Sequence, residues 1–186
     1  MINSKDDLKK WLNYEKNKYN IKFYNPMIPH IREKYVLYKY NYILRHLEYY
    51  SNTKKKIRSI IWKIKLTIYQ RKISIFIPIN TCDMGLHFVH LGYRLINGNS
   101  KIGKDFIMHA NTYVVAGGTN DDAPVIGDNV VMGVNSVILG NAIVGNNSAI
   151  WASAVVNKDF SDVNRLLAEY QPKKYPIIVE MIGIRN

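Results

Sequence analysis

The sequence predicts a mainly β protein, a parallel β-helix of hexapeptide repeats preceded by an α-helical N-terminal region, and three observations carry this. First, aliphatic residues fall at every sixth position, at Ile126, Met132, Ile138, Val144, Ile150 and Val156. Strand side chains alternate with period two and helix faces repeat at about 3.6 residues, so a strict six describes one short strand plus one corner per unit. Second, the other positions of the unit are restricted too. Four residues after each aliphatic stand Val130, Ser136, Ala142, Ser148 and Ala154, and one further on stand Val131, Val137, Ile143, Ala149 and Val155. Third, the charge divides: residues 1–74 hold eighteen Lys/Arg against five Asp/Glu, a net of +13, whereas residues 75–186 hold eight against nine.

The N-terminal part reads as helices. Ser4 and Asp7 form a capping-box pattern ahead of Leu8, Trp11 and Leu12, with Asp in place of the usual Glu. Pro26 and Pro29 interrupt, because neither continues a helix interior. Helical patterns resume over about 31–50 and 56–69, the latter with Ile57, Ile60, Ile61, Ile64 and Ile68 on one side. The simplest expectation is helices packed on one another and on the first coil, with basic faces in water. A second is contact of the last helix with a membrane surface, since basic residues flank a broad apolar face. The basic stretch carries no DNA- or RNA-binding motif, so no nucleic-acid partner is expected.

The repeat extends backwards in one phase through Val114, Met108, Ile102, Ile96, His90 and Met84, with polar Asn120 as a skipped unit. Three hexads make a triangular coil that closes its core only by stacking on its neighbours. The division expected is therefore a basic helical region over 1–74, a β-helix over 75–160 and a C-terminal extension over 161–186. The run 60–68 is broken by Lys63 and Lys65, so no membrane span is predicted. Lys5, Asp6 and Asp7 stand where a secretory signal would be apolar. The single cysteine, Cys82, excludes an internal disulfide and fits a reducing cytoplasm.

His90 occupies a slot that is otherwise almost entirely aliphatic. Unpaired burial of such a group costs about 1–3 kcal/mol, so it must find a partner or line a site. His109 follows nineteen residues later, on the adjacent coil near the same edge. Neighbouring strands lie about 4.8 Å apart, within reach of one small reaction centre.

Three runs, Gly85 to His90, Ile96 to Lys104 and Ala123 to Val130, resemble the serine acetyltransferase family of left-handed β-helix acyltransferases. The resemblance covers about residues 75–160. It is nearer to members associated with bacterial surface-polysaccharide synthesis than to the cysteine-pathway enzymes. It implies a left-handed coil, acetyl-CoA as acyl donor, His90 as catalytic base, and a homotrimer with active sites between subunits and CoA along the groove between coils. His109, or a backbone N–H near Gly117 and Gly118, then serves as donor to the oxyanion. Gly117 and Gly118 are also candidate cofactor-binding residues, although a flexible turn explains them equally well.

Departures from the family narrow the expectation. The acid that precedes the family's catalytic histidine is Val89 here, which leaves Asp83 as the candidate to orient His90. A substrate-binding histidine before a proline is Ala123 before Pro124, and an arginine of that motif is Asp122. Without these groups nothing obvious holds an amino-acid carboxylate, so a sugar hydroxyl is favoured over serine. The family's Pro-Ala-Lys loop is absent, and Lys173 and Lys174 are the candidates to meet the CoA phosphates. Three other chemistries stand beside this one: zinc on His87, His90 and His109, which the resemblance disfavours so that no metal is expected; Cys82 as an acyl-accepting nucleophile; and a scaffold without chemistry.

Overall fold

The computed structural model describes residues 1–27, 31–118, 122–161 and the backbone of 166–167. Helices α1 (Lys5–Lys18), α2 (Glu33–Asn52) and α3 (Lys56–Ile73) precede the strands. These are β1 (Ile75–Phe76), β2 (His87–Phe88), β3 (Arg94–Ile96), β4 (Lys101–Ile102), β5 (Ile107–Met108), β6 (Thr112–Val115), β7 (Val125–Ile126), β8 (Val131–Met132), β9 (Val137–Leu139), β10 (Ile143–Val144), β11 (Ala149–Ile150), β12 (Val155–Val156) and β13 (Leu166–Leu167). They form three parallel sheets, ordered β1-β3-β6-β9-β12, β10-β7-β4 and β13-β11-β8-β5-β2. The sheets are the faces of a triangular coil.

The predicted hexads lie where expected over the second half. Ile126, Met132, Ile138, Val144, Ile150 and Val156 all point into the core, and Val125 pairs with Ile143, eighteen residues on. Asn111, Asn129, Asn135 and Asn147 turn corners at φ of 54–59°, a left-handed conformation that asparagine tolerates better than branched residues. The preceding coil is longer: Lys101 pairs with Val125 and Ile107 with Val131, twenty-four residues on. The extra hexad falls in the chain between β6 and β7.

Before Arg94 the repeat changes phase, and the sequence reading needs correction. Phe88 and Cys82 point inward, not His90 and Met84. Phe88 stacks on Met108 and Cys82 on Ile102, each twenty residues apart. The corner from Val89 to Tyr93 absorbs the two added residues, with His90 at φ +63° and Gly92 at φ +153°. A Cβ on Gly92 would lie 2.7 Å from the Ala110 Cβ, so the corner has no room for a side chain there.

The helices close the first coil. Ser4 and Asp7 form the capping box of α1, as the sequence predicts. Arg45 of α2 is fully buried and joins three parts of the chain. It bonds to Glu15 of α1 through Nη2 at 2.7 Å and Nε at 3.0 Å, to Glu48 through Nη1 at 2.9 Å, and to the Cys82 and Asp83 carbonyls at 2.9 Å each. Glu15 Oε1 also accepts from the Gly85 amide, and Glu48 Oε1 from the Asn80 amide.

Helix α3 overturns one expectation. Its isoleucine face does not pack inward: Ile57, Ile60, Ile61, Ile64 and Ile68 are 47–78% exposed. The inward face is formed instead by Trp62, Leu66, Tyr69 and Ile73.

Candidate functional site

The two added residues at the Val89–Tyr93 corner carry the His90 side chain outward, 73% exposed. The turn is held from inside by Arg94, whose side chain is fully buried. Its Nη2 donates to the carbonyls of Val89 (2.7 Å), His90 (2.6 Å) and Met108 (3.2 Å), and its Nη1 to that of Gly92 (3.1 Å). The guanidinium also lies 5.2 Å from the Phe88 ring centroid. In the neighbouring coil the slot of Arg94 is taken by Thr112, so the long side chain occupies interior space that the bulged corner opens. Burial pushes its pKa down to about 10, which leaves it cationic at neutral pH.

From outside, the corner is met by Glu33, the first residue of α2. Its Oε1 accepts from the Leu91 amide at 2.6 Å and its Oε2 lies 3.3 Å from His90 Nδ1. A carboxylate at that position makes Nδ1 the protonated nitrogen, which leaves the Nε2 lone pair directed away from Glu33. Catalytic hydrogen bonds are often this long before substrate binds. Glu33 was not foreseen. Fifty-seven residues separate it from His90, and the only local hint was an acidic residue at the start of a helix, a common N-terminal preference.

Asp83, the sequence candidate for orienting His90, is engaged elsewhere. Its Oδ1 accepts from the Met84 amide at 2.7 Å and its carbonyl from Arg45. His109 stands beside the His90 corner, since Val89 N bonds to Met108 O at 3.0 Å. It is half-buried, and burial lowers its pKa, helped by His90 and Arg94. His87 is the register partner of Ile107 in the neighbouring strand and lies against Tyr19, with ring centroids 4.3 Å apart. Burial, then Lys18, His109 and Arg94, push it down to about 4, so it is a neutral neighbour rather than a base at neutral pH.

Gly117 and Gly118 are exposed at the other end of β6 from His109. Four strand residues separate the two corners by more than about 10 Å, so these amides do not share a reaction centre with His90 of the same chain. Lys173 and Lys174 lie outside the described residues. Cys82 is buried, and burial pushes its thiol up to about 12. Such a thiol is not a nucleophile at neutral pH. Among the described residues no three His, Cys, Asp or Glu side chains converge as a metal cluster.

Residues 123–158 match the model of the bacterial transferase hexapeptide, six repeats. No curated protein matches the chain by sequence. Among solved structures, the serine acetyltransferase of Neisseria gonorrhoeae in complex with serine is similar at 18% identity and a TM-score of 0.65, over 91% of this chain and 69% of that one. The serine acetyltransferase of Brucella abortus strain S19 in complex with coenzyme A is similar at 18% identity and a TM-score of 0.60, over 88% and 64%. Isoform 3 from Entamoeba histolytica, in complex with cysteine, gives 16% and 0.56 over 93% and 60%. The likeness is one of fold: helices followed by a left-handed parallel β-helix of hexapeptide repeats.

Proposed function

We propose that this protein is an acetyl-CoA-dependent O-acetyltransferase that uses His90 as general base and acts on a sugar hydroxyl of a surface polysaccharide or its precursor. The observation that carries the reading is the Glu33–His90 pair on a corner that Arg94 holds from within. It provides an imidazole with one nitrogen held by a carboxylate and the other facing away from it. Support for the acyl donor comes from the coenzyme A held by a structure of the same fold.

In the proposed reaction His90 Nε2 takes the proton of the acceptor hydroxyl as that oxygen attacks the thioester carbonyl. His109 donates a hydrogen bond to the oxyanion of the tetrahedral intermediate. Its depressed pKa fits a neutral N–H donor. The C–S bond then breaks, the CoA sulfur takes the proton from the imidazolium, and the acetyl ester leaves. His90 is open to solvent within one chain, beside Leu91 and Tyr93, which are 45% and 40% exposed. That exposure supports a homotrimer in which a neighbouring chain covers the corner. Gly117, Gly118, Lys173 and Lys174 are the proposed CoA contacts, placed on the covering chain, and the proposed compartment is the cytoplasm.

Serine as acceptor is the second reading, favoured by the serine held in the Neisseria structure. Against it, Asp122 and Ala123 supply no cation for a carboxylate, and Arg94 is buried under four carbonyls. Release of CoA thiol, followed with serine, nucleotide-linked sugars and lipid-linked sugars as acceptors, separates the readings. Release with a sugar and not with serine is expected. Release with serine alone moves the protein to the serine enzymes, and no release without acetyl-CoA binding makes it a scaffold.

Arg94 acts here as a positioning residue. Arg94→Met is expected to lower kcat on the order of ten- to a hundredfold, the cost of misplacing a reacting group by about an ångström, while KM for acetyl-CoA stays within about twofold. Arg94→Lys is not expected to restore kcat, since an ammonium lacks the planar fork that spans these carbonyls. Equal losses in kcat and in CoA affinity would assign Arg94 to general stability instead.

A further inference from the structure

Helix α3 has two opposed apolar faces, and only one of them is used by the fold. Trp62, Leu66, Tyr69 and Ile73 pack inward. On the far side Ile57, Ile60, Ile61, Ile64 and Ile68 form a continuous outward stripe, spaced by three, four and seven residues along one helix face. The borders of the stripe are cationic on both sides. Arg58, Lys65 and Lys72 follow one border, Lys56 and Lys63 follow the other, and Arg71 ends the row of Ile57 and Ile64, all exposed. Lys54 and Lys55 extend the charge beyond the helix start.

Among the described residues no carboxylate balances this charge locally. The sequence has no Asp or Glu between Glu48 and Asp83, and none of these cations forms an ion pair among the described residues. Isoleucine is a poor choice for a solvated helix face, where Lys, Glu and Gln cost nothing in water and carry a higher helix propensity. An outward row of five calls for a cover.

We infer that α3 is a membrane-surface helix, which lies in the plane of an anionic bilayer with its isoleucine stripe among the acyl chains and its two basic borders among the headgroups. The two features together select this occupant. An apolar ridge between two rows of long cationic side chains lets the stems follow the ridge while the charged ends reach the phosphate level. Anionic headgroups then supply the negative charge that the helix lacks. A second copy of α3 would fit the ridge but would set cationic borders against cationic borders, with no acid on either helix to relieve the repulsion. No helix among the described residues is long and apolar enough to cross a membrane, so the contact is superficial.

The test uses the whole chain and sedimentation with vesicles, of phosphatidylcholine mixed with phosphatidylglycerol or of phosphatidylcholine alone. Binding is expected to the mixed vesicles, at least about tenfold weaker to the neutral ones, and weakened by added salt. The double substitution Ile60→Glu with Ile64→Glu is expected to abolish it, with helical circular dichroism unchanged because both side chains are exposed. Lys63→Glu with Arg71→Glu leaves the stripe intact and is expected to reduce binding by about tenfold or more. Binding that ignores lipid charge, or survives Ile60→Glu with Ile64→Glu, overturns the inference. So does an absence of vesicle binding accompanied by a smaller particle on sizing of that variant, which would make the stripe a contact between copies.

Discussion

His90→Ala is expected to lower turnover by about a hundred- to ten-thousandfold, the usual contribution of a positioned general base, while leaving stability almost unchanged. The second half follows from geometry. His90 is 73% exposed, and its pair with Glu33 is a solvent-exposed one, of a kind worth about 0–1 kcal/mol. Its backbone carbonyl still accepts from Arg94 in the variant, so the corner keeps its shape. A loss of turnover with an unchanged urea midpoint therefore separates chemistry from folding. A variant that turns over normally would remove His90 from the reaction and with it the general-base assignment.

Arg45→Met is expected to have the largest effect on folding, about 3–5 kcal/mol in the free energy of unfolding measured in urea. That is the usual cost of removing one partner of a buried ion pair. The change leaves the buried carboxylates of Glu15 and Glu48 without their cation and the carbonyls of Cys82 and Asp83 without a donor. Replacing all three charged residues by apolar ones of similar volume is expected to recover much of the loss, because desolvation of the charges disappears with them. A cost below about 1 kcal/mol for Arg45→Met would show that water reaches the network. The site has a stake in this network, since Arg45 ties α1 and α2 to the first coil and α2 carries Glu33.

How much of this was legible depends on how local each signal is. The coil from Ile126 to Val156 could be read in full because each unit repeats the same corner chemistry, a small or polar residue at the turn and an aliphatic inside. The phase change before Arg94 was not legible. Two residues added to a corner leave no periodic trace, and the slot that a strict count of six gives to a histidine falls outside the core. The sequence brings His90 and His109 to one edge of adjacent coils, the first through an argument about burial that the structure overturns. The resemblance to a known family, rather than the periodicity, is what points to this corner as a site.

Glu33 was missed because pairing between a helix start and a coil corner depends on how the two pack, and packing leaves no mark in either segment. The direction of α3 was misread for another reason. Periodicity shows that a face exists but not which way it points, and a helix with Ile64 on one side and Leu66 on the other offers two candidates. The aromatic residues resolve the choice: Trp62 and Tyr69 fill the interface with α2, where His46 stacks on Trp62 with ring centroids 4.4 Å apart. β-branched isoleucines are left for the outside.

The measurement that tests the central claim most directly is a double-mutant cycle on kcat with Glu33→Gln, His90→Ala and the pair together. Glu33→Gln alone is expected to cost about ten- to a hundredfold, as loss of an orienting carboxylate usually does. Added to His90→Ala it is expected to cost nothing further, because Glu33 acts through the imidazole it holds. Losses that multiply in the double variant would show that the two side chains work independently and that Glu33 does not orient the base.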